Sequence, residues 1–237
     1  MEVEEEVERL KKAFFIAAFC GGVEKGRIPI EGRSIEDILL DFYALVLLPI
    51  HLNAEAKLEF SIDHRNSILD NARIAVAQRE NDMAAMLFGT LFEHHINLLL
   101  SDSFERREYS DKTISTLIRS LGISAKVTAL WEIARLKPWP DELLRKLNLL
   151  MERRNRFVHY KWKPEARFNS DTVPERELIE LEGVEDILLF LEEVENDHVW
   201  CGRKEELLTA FRELSSEDKK TAGEKGVREI LYRELTA

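Results

Sequence analysis

Apolar residues recur along most of this chain at intervals of three and four, the period of helices with one buried face. Over residues 2–20 a glutamate-rich start gives way to Leu10, Ala13, Phe14, Ala17 and Ala18, and Gly21-Gly22 predicts the stop. Ser34 with Asp37 three residues later predicts a capped start for a second helix reaching about residue 51. That segment is apolar on most sides (Ile38, Leu39, Leu40, Phe42, Leu45, Val46, Leu47, Leu48), which places it centrally or under a partner. A third helix is predicted over 63–78. The fourth, over 81–101, carries the stripe Met83, Met86, Leu87, Thr90, Leu91, His94 and Leu98, with Glu93 and Asn97 four apart on the next face. Segments 111–121 and 124–136 follow, divided by Gly122, and Lys137-Pro138-Trp139-Pro140 breaks the pattern. Further helices are predicted over 174–199, 203–214 and 216–235. No stretch alternates as a strand and no repeat is evident, so the fold class is all-α, an up-and-down helical bundle with extra terminal helices.

The pattern is interrupted once in an informative way. Pro140-Asp141-Glu142 opens a helix with Leu143, Leu147 and Leu150 on one seam and Leu144, Met151 and Val158 beside it. Extending the seam leads to Arg154 and then Phe157, so an arginine stands where a core leucine is expected. Asn155 and His159 share the neighbouring face. Charged side chains are buried only when paired. These residues therefore either satisfy a buried polar network or line a site between helices. Glu93 is the candidate carboxylate for Arg154, the bland alternative being a solvent-exposed glutamate.

Charge sharpens this picture. The chain has 237 residues and a net charge of −11, which argues against indiscriminate coating of nucleic acid. Yet residues 145–167 hold eight basic side chains against two acidic ones. A basic patch on an acidic body suits a phosphate-bearing ligand; a basic face pairing with an acidic helix is the alternative. The two cysteines, Cys20 and Cys201, are far apart, and a reducing cytoplasm is the simpler compartment. The acidic start is unlike a signal peptide, and the most apolar segment, 38–52, is interrupted by Asp41, Pro49 and His51, so no membrane span is expected. Adjacent His94 and His95 diverge by about 100° on a helix and lack a completing cluster, so neither metal nor cofactor is expected. A P-loop, a dinucleotide fingerprint and a serine triad are absent.

Arg154-Asn155-Arg156-Phe157-Val158-His159 resembles the R-N-x-x-x-H signature of HEPN domains, near the end of a long bundle helix. In catalytic members that pattern marks a metal-independent endoribonuclease. The resemblance implies a homodimer whose two motifs form one RNA-cleaving site, with Arg154, Asn155 and His159 catalytic and Glu93 and Asn97 in support. Arg153, Arg156 and Lys161 would contact the RNA backbone, and Tyr160 would stack on a base. It further implies a toxin or phage-defence effector, with an antitoxin or regulatory protein as partner. The alternatives are a non-catalytic HEPN-like module that binds RNA, nucleotide or protein, and a purely structural helical protein in which Arg154 is a buried ion pair. HEPN toxins with nucleotidyltransferase antitoxins often carry H-x-Y, the tyrosine being modified. Here the order is His159-Tyr160-Lys161, so that regulation does not transfer. The resemblance covers 79–200, leaving 1–78 and 201–237 as helical extensions.

Overall fold

Helices begin where the local chemistry is strongest. The Ser34 hydroxyl accepts from the Asp37 amide at 3.1 Å and donates to its carboxylate at 2.7 Å, and Ser110 caps Thr113 in the same way at 3.2 Å. The computed structural model describes residues 2–47, 64–158, 181 and 183–213, and every regular element among them is helical. The protein is all-α. In chain order the helices are α1 (Glu2–Glu24), α2 (Ile35–Phe42, continued by a π-turn, Tyr43–Leu47), α3 (Arg65–Ala77), α4 (Asn81–Glu105) and α5 (Asp111–Ser120). A short composite helix, α6, joins an α-turn (Ile123–Ala125), a π-turn (Lys126–Leu130) and a second α-turn (Trp131–Ile133). Then come α7 (Asp141–Val158), α8 (Val184–Trp200) and α9 (Lys204–Glu213).

Two compact units divide the chain, one made of Met1–Phe60 with Glu195–Ala237 and the other of Ser61–Val194. The borders differ from the expected 1–78, 79–200 and 201–237. Helix α3 belongs with α4, to which three residues join it, and the two terminal segments share one unit. In that first unit Phe19 stacks on Phe211 at 3.7 Å, and Phe15 meets Phe42 edge-on at 4.9 Å. Helix α1 runs through Gly21-Gly22 instead of stopping there. A Cβ on Gly22 would lie 2.5 Å from the Ile28 side chain, so this glycine serves a close approach of the following loop and not a helix end. The start of the helix expected over 174–199, the helix expected over 216–235 and the end of the second lie outside the described residues.

In the second unit α3 and α4 form a hairpin, and α7 packs along α4. The core face of α4 is Ala84, Ala85, Phe88, Leu91, Phe92, His95, Ile96, Leu99 and Leu100. Of the expected stripe only Leu91 is buried, while Met83 and His94 are exposed. This helix is apolar nearly all round, so periodicity alone does not choose its inner face. It is also long and apolar enough to cross a membrane by composition, unlike 38–52, but 56% of its most apolar stretch is buried within the protein. Trp139, from the proline-flanked breaker, packs on Trp131 at 5.4 Å and Phe190 at 4.5 Å. Arg107 donates to the carbonyls of Ile133 and Ala134, satisfying the exposed end of α6.

Candidate functional site

The seam of α7 behaves as the spacing requires for two turns. Leu147 and Leu150 are fully buried, with Met151 beside them. One turn later apolar residues give out, and Phe157 and Val158 face solvent. The three arginines between them differ in their surroundings. Arg153 is 4% exposed and donates from Nε and Nη2 to one carboxylate oxygen of Asp82, at 3.1 and 2.9 Å. The expectation that Arg153 contacts an RNA backbone is therefore corrected: its guanidinium is turned inward and engaged with an acid on α4. Arg156 lies on the exposed side of the helix.

Arg154 is the half-buried member, its side chain 24% exposed. Gly89 of α4 brings it there. A Cβ on Gly89 would sit 3.1 Å from both Cβ and Cγ of Arg154, so glycine accommodates the close approach of α7 at this point, and a larger residue would press on the Arg154 stem. One turn further along α4, the Glu93 carboxylate receives Arg154 Nη2 at 3.2 Å through Oε2. Its other oxygen, Oε1, accepts from Lys126 Nζ, also at 3.2 Å. Lys126 opens the π-turn of α6 and is 3% exposed. Glu93 is thus held between two cations and is itself 26% exposed. Arg154 Nη1 donates to Asn155 Oδ1 at 3.2 Å, while its Nε is buried with no hydrogen-bond partner among the described residues.

Of the residues singled out by pattern, Arg154, Asn155 and Glu93 come together. Asn97 lies one turn beyond Glu93, with a buried, unpartnered Oδ1, on the wall of a groove of about 390 Å³ between α4 and α5 that also includes His94, Ser101 and Arg119. His159, Tyr160 and Lys161 lie outside the described residues. Three contributors escaped sequence reasoning: Gly89, Lys126 and Asp82. A glycine inside a strongly helical run is a recognisable signal of close backbone approach. Lys126 left a weaker one, a lone cation beside Ile123, Val127 and Leu130. Asp82 left none, since an acid in a first helical turn is ordinary.

Among the described residues of the basic window, three cations are matched by acids. Besides Arg153 and Arg154, Lys146 reaches Glu142 at 3.1 Å and Asp186 at 3.5 Å. Among the described residues no three His, Cys, Asp or Glu side chains are grouped to hold a metal ion. Chemically, the Arg154 cluster offers a fixed, partly exposed guanidinium with one carboxylate shared between two positive charges. That is an arrangement suited to an anion. Compared with models of known protein families, with curated proteins and with solved structures, the chain matches none, so the site is read from its own geometry.

Proposed function

We propose that this chain is a HEPN-type, metal-independent endoribonuclease acting as a homodimer on RNA in the cytoplasm. The observation that carries the reading is Arg154, a guanidinium at the end of a core seam, tethered by Glu93, bonded to Asn155 and five positions before His159 in the sequence. Cleaving RNA without a metal requires removal of the 2′-hydroxyl proton, relief of charge on the phosphorane-like transition state and protonation of the leaving 5′ oxygen. In this reading Arg154 supplies the charge relief. His159, of a residue type that titrates near neutral pH, moves a proton, and Asn155 orients the phosphate or the imidazole. One histidine per chain does not readily serve as both base and acid, and a twofold dimer supplies the second. Arg156 and Lys161 take backbone phosphates, and Tyr160 stacks on a base. Products carry a 2′,3′-cyclic phosphate and a 5′-hydroxyl. The biological setting that fits such an activity is a toxin or phage-defence effector controlled by an antitoxin or regulatory protein.

The test compares RNA degradation in EDTA by the wild type, Arg154→Ala and His159→Ala. Loss of cleavage in both variants is expected, and equal activity in all three removes the assignment. A second reading is favoured by the ion pairs that engage Lys146, Arg153 and Arg154: a non-catalytic module that holds RNA or nucleotide, or bridges protein partners. It predicts salt-sensitive RNA affinity with no cleaved ends.

A further inference from the structure

Lys126 takes no part in the motif on α7, yet its placement bears on what Arg154 can do. Arginine and a carboxylate that meet freely tend to pair through two parallel hydrogen bonds. Here the contact is single. Arg154 offers Glu93 only Nη2, its Nη1 goes to the neutral amide oxygen of Asn155, and its Nε is buried without a hydrogen-bond partner among the described residues. The second oxygen of Glu93 is occupied by Lys126 at 3.2 Å. One carboxylate between two cations leaves the cluster with a surplus positive charge. Lys126, at 3% exposure, is shut away from solvent, whereas Arg154 at 24% reaches it. The surplus therefore presents itself at Arg154. A π-turn carries Lys126, and such wide turns re-aim side chains, often at functional sites.

We propose that Lys126 is a positioning residue for the Arg154 site: by occupying Oε1 of Glu93 it keeps that carboxylate from closing on the guanidinium, so Arg154 retains an unspent positive edge for a phosphate. This inference rests on the proposed reading of Arg154 as a phosphate contact. Lys126 touches no ligand in this scheme; it acts through Glu93. Replacing it by methionine leaves Glu93 free to form a two-bond pair with Arg154 and neutralise it. Removing the Glu93 charge as well then releases Arg154 again.

The experiment measures binding of a short single-stranded RNA and of inorganic phosphate to the full chain, with salt dependence, for the wild type, Lys126→Met and Lys126→Met with Glu93→Gln. Lys126→Met is expected to weaken RNA binding about tenfold, the scale of one charge-assisted hydrogen bond. Its salt slope should fall by about one phosphate contact. The double variant is expected to recover most of the affinity, a rescue that a merely structural lysine would not produce. Should Lys126→Met fail to fold, Lys126→Gln removes the same charge while keeping a polar group against Glu93, and the same loss is expected of it. Unchanged affinity in a folded single variant, or a double variant no better than the single, overturns the inference and leaves the proposed function standing. A wild type that neither binds nor cleaves RNA removes both.

Discussion

Replacing Glu93 by glutamine probes the electrostatics of the site independently of RNA. The carboxylate lies 3.2 Å from both Lys126 Nζ and Arg154 Nη2. At an effective dielectric constant of about 20, each such pair contributes roughly 5 kcal/mol of Coulomb attraction before desolvation is counted. Most of that gross attraction is offset by the cost of taking the charges out of water. What the substitution exposes is the asymmetry: removing one partner leaves the other buried and uncompensated, typically at 3–5 kcal/mol. Arg154 at 24% exposure regains water, whereas Lys126 at 3% does not. The loss should fall near the low end, about 3 kcal/mol, because Glu93 is itself 26% exposed and water enters beside it. For a folding unit of this size that corresponds to a Tm lower by roughly 6–12 °C in a thermal melt followed by circular dichroism. Adding Lys126→Met to Glu93→Gln removes the stranded ammonium and should return most of the loss. A Glu93→Gln melt within about 2 °C of wild type would refute the reasoning, since Lys126 would then not depend on this carboxylate.

Gly89→Ala gains roughly 1 kcal/mol of helix propensity but drives a methyl group against the Arg154 stem, an overpacking that costs typically 1–3 kcal/mol. A net loss of about 1 kcal/mol is expected in urea denaturation, and a gain in stability would show that α7 yields easily. Arg153→Ala should lower stability while leaving RNA affinity at a given salt unchanged; a large drop in affinity of the folded variant would restore it as a ligand contact. Burial first, and the nearby Glu24 second, push the Cys20 thiol up from its ordinary 9 to about 11. Native protein at pH 8 should therefore expose one fast-reacting thiol, Cys201, to a thiol reagent and two after denaturation. Because the folded pKa is the higher one, Cys20 contributes stability that is complete below its ordinary value and lost as pH rises toward about 11. A melt that is flat over that alkaline range would contradict its burial.

Local chemistry settled a great deal from the chain alone. The cap at Ser34, the breaker around Pro138 and Pro140, the seam Leu147–Leu150 and its interruption at Arg154 all depend on residues within a turn or two of one another, so spacing suffices to place them. The all-α class follows from the same periodicity. Tertiary structure decided whatever depends on which face meets which neighbour. Helix α4 is apolar on so many sides that only its packing against α3 and α7 selects Phe88, Phe92 and Leu99 as inner residues. Adjacent arginines on α7 point about 100° apart, and whether each finds an acid, Asp82 or Glu93, is a matter of what α4 places opposite. Lys126 sits 33 positions from Glu93, and no local rule links residues so distant. The grouping of the two ends of the chain into one unit is likewise invisible to periodicity, which records the face a helix buries but not the partner that covers it.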